Sequence, residues 1–383
     1  RPVPHDAMGK RRGQLELEFK RDLAQAQANW EAFWRGENTR PLISAIVPRP
    51  GVAPVPKPPY TAGRDGNFAP VIAQVLRYME THEFVGEAIP FYQIEFAADH
   101  FAGLLGADLA FREDEHGYGW AVPFVTDWDD VEIVFRRDNF WWERTVAFAE
   151  ALRRVADGRF LVAPPTMVGN LDALSALRGP QQLLLDLVEQ PDKVHRALEQ
   201  VTRAWEEISD ALAELLDFAT YGSINRHGMY TTGRINVPQC DFSCMISPAM
   251  FREFALPHLA REFAGLDAGE YHLDGPGAIK HLAALCEIPD LDVVQWVPGD
   301  GPGQEMDWTW LYEKIDALGK GQILGGRPER VRRLWQQFRS RTLFFTMGFP
   351  DRASAEAFIA AMENVRSRGY PTGGGPDVPT RIV

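Results

Sequence analysis

Cysteine is nearly missing: Cys240, Cys244 and Cys286 are the whole complement in 383 residues. Three thiols cannot build a disulfide framework, and their scarcity points to a reducing, cytoplasmic setting. Cys240 and Cys244 are four apart, a metal-like spacing, but no histidine or cysteine pair completes a closed zinc set around them. Basic residues are also short, with 40 Lys and Arg against 53 Asp and Glu and a net charge of −13. So acidic a chain lacks the patches that neutralise phosphates, and no nucleic-acid partner is expected. No apolar run approaches the roughly 20 residues that span a bilayer, so no membrane is expected either. Neither GxGxxG nor GxxxxGK[ST] follows the first strand-like run, which argues against a nucleotide cofactor.

What is present is an alternation. Leu15, Phe19, Leu23, Ala26, Trp30 and Phe33 fall on one helical stripe ending at Gly36, giving an N-terminal helical segment over 15–40. Eight β-rich runs follow, at 41–47, 89–95, 159–164, 234–240, 270–273, 292–297, 321–325 and 342–347. Helical patterns separate them, at 67–81, 97–106 with 143–156, 180–217, 249–265, 277–286, 308–318 and 328–339, and 353–366 comes last. Strands alternating with helices imply βαβ units and a parallel sheet. Eight such units predict an α/β fold of the (β/α)8 TIM-barrel class over 41–366, within a single domain spanning 1–383. Segment 107–142 reads as a β-rich excursion between strands two and three, its Trp120, Trp128, Trp141 and Trp142 destined for the core. Residues 367–383 form a Gly- and Pro-rich tail.

A barrel places its chemistry at the carboxyl ends of the strands. That rule selects Arg49, Glu95, Asn170, Asp241, His272, Asp274, Gln295, Trp296 and Arg327, together with Met347-Gly348 after the last strand. Glu95, Asp241, His272 and Asp274 are the titratable set, suited to acid/base work or metal capture because converging charges shift one another's pKa values. Arg49 and Arg327 would orient an anionic group, Asn170 and Gln295 would contact substrate, and Trp296 would wall the pocket. His100 reads as structural. The stretch YHLDGPGAIKHL (271–282) has two readings. In one, Asp274 or Gly275 caps a helix opened by Pro276. In the other, His272 and Asp274, two apart on a strand and so on one face, are half of a metal site completed by Glu95 or Asp241.

Several segments resemble the uroporphyrinogen decarboxylase superfamily, whose barrel serves both that decarboxylase and cobamide-dependent methyltransferases. APPTMVGNLDALSALRGPQQLLLDLVEQPDKV is similar to the family's strand-three loop and helix, and CDFSCMISPAMFREFALPHL to its Asp…Ser-Pro-x-x-Phe…Leu-Pro segment. EYHLDGPGAIKHL resembles the strand that carries the methyltransferases' zinc ligands, and ILGGRPERV the later Gly-rich Pro loop. The likeness spans roughly residues 30–366. Its departures narrow what it implies. The decarboxylases' Arg-Gln-Ala-Gly-Arg run is reduced to Arg49, their strand-three tyrosine falls near Asn170, and their catalytic aspartate falls near Glu95, so haem-pathway decarboxylation is not expected. The methyltransferases' His-x-Cys becomes His272-x-Asp274, and their later cysteine falls near Met347-Gly348, so the resemblance leaves three readings: a divalent metal (zinc or a harder ion), a different nucleophile, or no metal. The resemblance therefore implies an enzyme acting on a small polar or anionic substrate by metal-assisted methyl transfer, with a corrinoid protein as partner; a homodimer is a further expectation, independent of the resemblance. Two alternatives stay open: metal-free decarboxylation of a small aromatic or heterocyclic acid, using Glu95 and Asp241, and a non-catalytic barrel that binds a ligand or a corrinoid protein.

Overall fold

A computed structural model describes residues 15–112, 118–299 and 301–365. The expected tail over 367–383 lies outside the described residues. All eight β-rich runs contain a strand: β1 (Leu42–Pro48), β3 (Phe91–Gln93), β6 (Leu161–Ala163), β9 (Ile235–Asn236), β10 (Ala268–Asp274), β11 (Val293–Val297), β12 (Gly321–Gly325) and β13 (Leu343–Thr346). Five further strands lie outside those runs: β2 (His82–Gly86), the hairpin β4 (Asp108–Phe111) with β5 (Gly119–Val122), and the hairpin β7 (Ser223–Ile224) with β8 (Tyr230–Thr231). The main sheet has the order β2-β1-β13-β12-β11-β10-β9, parallel throughout except for β2 against β1. β3 and β6 form a separate parallel pair. The fold is thus mixed α/β around a mostly parallel sheet, of the α/β-barrel kind.

Alternation along the strands sorts side chains onto two faces. Tyr271, Leu273, Val294 and Trp296 belong to the large cluster under the helices, beside Phe263 and Leu282. Ala268, Val293, Phe344, Leu42, Leu161 and Ile235 face the other way, into a second cluster with Trp30 and Phe33. The N-terminal helix (Leu23–Trp34) therefore floors the inner face at the amino ends of the strands. Trp30 is fully buried, donates to Glu87 O at 3.1 Å and packs edge-on against Phe344 with ring centroids 4.9 Å apart. Trp30→Ala should cost about 3–5 kcal/mol, read as a lower urea midpoint at unchanged slope.

Several boundaries differ from expectation for identifiable reasons. The first helix starts at Leu23, not at residue 15. The Lys20 ammonium is buried and donates to Phe84 O and Gly86 O, which turns the chain away from helical geometry before that point. The long helix expected over 180–217 is two, Pro180–Glu189 and Pro191–Leu215, each with proline in its first turn. A further helix, Asn170–Arg178, stands between β6 and Pro180, outside the helical patterns expected from the sequence. Among the described residues of the excursion, strand structure is confined to the β4/β5 hairpin, and 123–139 adds only a short turn at Trp128–Asp130. Trp128, Trp141 and Trp142 are buried as expected, but Trp120 is 41% exposed.

Candidate metal centre

Strand register assembles the centre. Glu270, His272 and Asp274 share the inner face of β10, because Tyr271 and Leu273 between them pack outward. His272 pairs in register with Gln295 of β11, and its Nδ1 bonds the Gln295 side-chain oxygen. On the other side Gln239 bridges to His272 in parallel. Two residues further along both chains, the same parallel advance brings Asp241 beside Asp274. One ligand atom each of Asp241, His272 and Asp274 then lies within 4.8 Å of the other two. Glu95 is not part of that group, so among the described residues the side chain that meets His272 and Asp274 is that of Asp241. The cap position before the turn at Pro276–His281 is held by Gly275, with φ 77°, rather than by Asp274.

The supports of these side chains are built into the wall. Asp172, on the helix Asn170–Arg178, accepts from the backbone N–H groups of Asp241 and Phe242, both at 2.8 Å. Gln239 donates to Asp241 Oδ2 at 3.1 Å, while Asp241 Oδ1 is buried with no hydrogen-bond partner. Burial, then the charges of Asp172 and Asp274, push the Asp241 carboxyl up to about 8. Burial also raises Asp172 and Asp99. His272 moves the other way: burial, then the positive Arg226, hold it down to about 3, so its imidazole is neutral. With Nδ1–H donated to Gln295, the Nε2 lone pair is free to bind an ion.

A second network adjoins the first. The turn between β7 and β8 carries Asn225, Arg226 and His227. Fully buried Glu270 accepts from the Asn225 amide and from His227 Nδ1, and the His227 ring centroid lies 6.2 Å from that of His272. Arg226 donates to Gln239 Oε1 at 3.1 Å, tying this turn to Asp241. On the other flank a cavity of about 470 Å³ is lined by Asp99, Asp172, Asp241, Gln239, Trp120 and Met245. Trp120, expected in the core, is therefore a wall of this space.

The remaining sequence-selected residues lie elsewhere. Glu95 is buried, its Oε2 accepting from Thr166 N at 3.0 Å and Gln93 Nε2 at 3.1 Å. Its Oε1 faces His100 Nδ1 at 3.2 Å, and buried His100 reaches Thr145 through Nε2. Asn170, with φ 44°, is fully buried, and its amide donates to Gln239 O and to the carboxylate of buried Glu262. Trp296 projects to the helix side of β11, edge-on to Trp308, opposite Gln295. Arg49 and Arg327 are exposed. Cys240 is buried and Cys244 exposed, and neither joins the ligand group. Arg226, His227, Glu270 and Asp172 were missed. The parity of β10 could have pointed to Glu270, but the short turn carrying Arg226 and His227 leaves no comparable pattern.

No family model matches the chain, and no curated protein matches it. Among solved structures 21 chains match. One is a methyltransferase from Methanosarcina mazei, 11% identical, superposing with a TM-score of 0.55 over 88% of this chain and 98% of that one. At that identity the shared property is the fold. No helix among the described residues is long and apolar enough to cross a membrane.

Proposed function

We propose that this chain is an enzyme of the uroporphyrinogen decarboxylase-like barrel type that removes a methyl group from a small polar substrate, with a divalent ion held by Asp241, His272 and Asp274. In this reading the two strand groups complete a (β/α)8 barrel whose mouth is the site. The observation that carries it is the meeting of three ligand atoms within 4.8 Å at adjoining strand ends. The donors fit an ion: a buried carboxylate oxygen without a partner on Asp241, and a neutral imidazole oriented by Gln295. Two carboxylates and one imidazole suit zinc or a harder ion such as manganese. When bound, the ion supplies Lewis-acid polarisation of the oxygen from which the methyl departs. The protein's own parts do the rest. Asp172 fixes the Asp241 backbone, Gln295 holds the His272 tautomer, and Trp120 with Met245 walls the adjoining cavity. The methyl acceptor is a corrinoid-bearing partner protein, a role that the fold likeness to a methyltransferase supports.

The test is methylation of a reduced corrinoid by a panel of small O-methyl compounds, followed by the absorbance change at cobalt. Zinc- or manganese-loaded protein should convert at least one donor, and His272→Ala should convert none. A panel left untouched by the loaded protein would count against methyl transfer. The raised Asp241 carboxyl favours one second reading, because a carboxyl that keeps its proton near neutrality can protonate a ring carbon during metal-free decarboxylation. Chelators separate the two. Exhaustive chelation should abolish methyl transfer, whereas a metal-free decarboxylase would keep its rate.

A further inference from the structure

The cavity beside the triad carries one sign of charge. Its carboxylates come from three separate segments: Asp99 just before the helix His100–Leu104, Asp172 in the helix Asn170–Arg178, and Asp241 in the turn Asp241–Met245. Among the described residues that line it there is no lysine, arginine or histidine. Arg226 and Arg112 come near without joining the lining. Arg226 donates to Gln239 Oε1 at 3.1 Å, and Arg112 covers one face of the Trp120 ring, 4.9 Å from its centroid. Much of the remaining wall is apolar. Trp120 and Met245 are 41% and 46% exposed, and Ala121, Val168 and Phe242 add further apolar surface.

A space of about 470 Å³ holds a small organic molecule, and Asp241 belongs both to its wall and to the ligand triad. A molecule that fills it therefore has one end at the triad. The lining decides which molecules suit. An anion would meet three carboxylates and no basic partner, in a space where water screens that repulsion poorly. A cation offsets the repulsion, and the aromatic wall adds attraction for positive charge. The carboxylates have also spent part of their hydrogen-bonding capacity. Asp172 accepts from the backbone N–H groups of Asp241 and Phe242, and Asp99 Oδ2 accepts from Ala121 N at 3.0 Å. An alkylated ammonium, which spreads its charge over an apolar shell and demands few acceptors, matches this combination of charge and apolar wall.

We propose that the substrate of this site is an organic cation, whose alkylammonium head lies in the cavity beside Asp99, Asp172 and Trp120 while its methoxy end reaches the triad. The proposal rests on the reading of Asp241, His272 and Asp274 as the reacting end. It sets aside the anionic substrate expected from sequence, since Arg49 and Arg327 are exposed and lie outside the cavity lining.

Calorimetric titration of the zinc-loaded protein with choline, tetramethylammonium and neohexanol, the uncharged carbon counterpart of choline, tests this. At least one ammonium ion should bind, and choline should bind about tenfold or more tighter than neohexanol. Asp99→Asn and Trp120→Ala should each weaken choline about tenfold or more, and Trp120→Phe should restore most of the second loss. Bound zinc per chain, measured on the same samples, should be unchanged in Asp99→Asn and Trp120→Ala, which shows that the fold around the triad is intact. Failure of both ammonium ions to bind, neohexanol binding as tightly as choline, or choline binding indifferent to both Asp99→Asn and Trp120→Ala overturns the proposal. Wild-type protein that holds no zinc, yet binds choline with the Asp99 and Trp120 dependence intact, would overturn the triad reading and leave the cation cavity standing.

Discussion

A His272→Ala variant should bind zinc or manganese on the order of 1,000-fold more weakly than the wild type, a loss of about 4 kcal/mol. The imidazole is the one nitrogen donor of the group, and no other histidine or cysteine among the described residues belongs to it. It is also ready for the role, since burial and the positive Arg226 keep it neutral at any pH above about 3. Gln295→Ala should act on the same bond more mildly. It removes the partner that fixes the His272 tautomer without removing a ligand, and such outer partners are worth about 10–100-fold in affinity. Competition against a chelating dye measures both variants. Equal losses would contradict a ligand role for His272.

Metal affinity should rise steeply with pH up to about 8 and flatten above it. Asp241 in the metal-free protein holds its proton to about 8, because it is buried and faces Asp172 and Asp274. An ion must displace that proton, so affinity gains about tenfold per pH unit below the bend, roughly 100-fold from pH 6 to pH 8. His272, lowered to about 3, adds no slope in this range. Asp172→Asn removes the largest of the neighbouring charges that raise Asp241, and should move the bend to lower pH and tighten binding at pH 6. Stability follows with the opposite sign. The folded carboxyl lies above its unfolded value, so its contribution is present below about pH 4 and lost as pH rises through about 8. Saturating metal should cancel that decline. Thermal melts with and without manganese across pH 5–9 would show it.

Much of the frame was legible in the sequence because strand and helix periods differ. The eight β-rich runs are short, apolar and bounded by turn residues, and each contains a strand. The same alternation put His272 and Asp274 on one face, and the packing of Tyr271 and Leu273 under the helices makes that face the inner one. What did not show was pairing. Asp241 stands beside Asp274 because Gln239 bridges His272, a register that no local pattern reports. Arg226 and His227 sit in a turn between two-residue strands, too short to carry a period. Trp296 and Asn170 follow the barrel-end rule by position, but Trp296 projects to the helix side and Asn170 spends its amide on Glu262. Position along a strand selects a level in the sheet, and side-chain direction then decides the face.

The central claim is that Asp241, His272 and Asp274 hold one divalent ion. Anomalous diffraction from crystals grown with manganese or zinc tests it most directly. The predicted result is one strong peak in contact with an oxygen of Asp241, Nε2 of His272 and an oxygen of Asp274. A map with no peak among these three residues, at an ion concentration that saturates binding in solution, would contradict it.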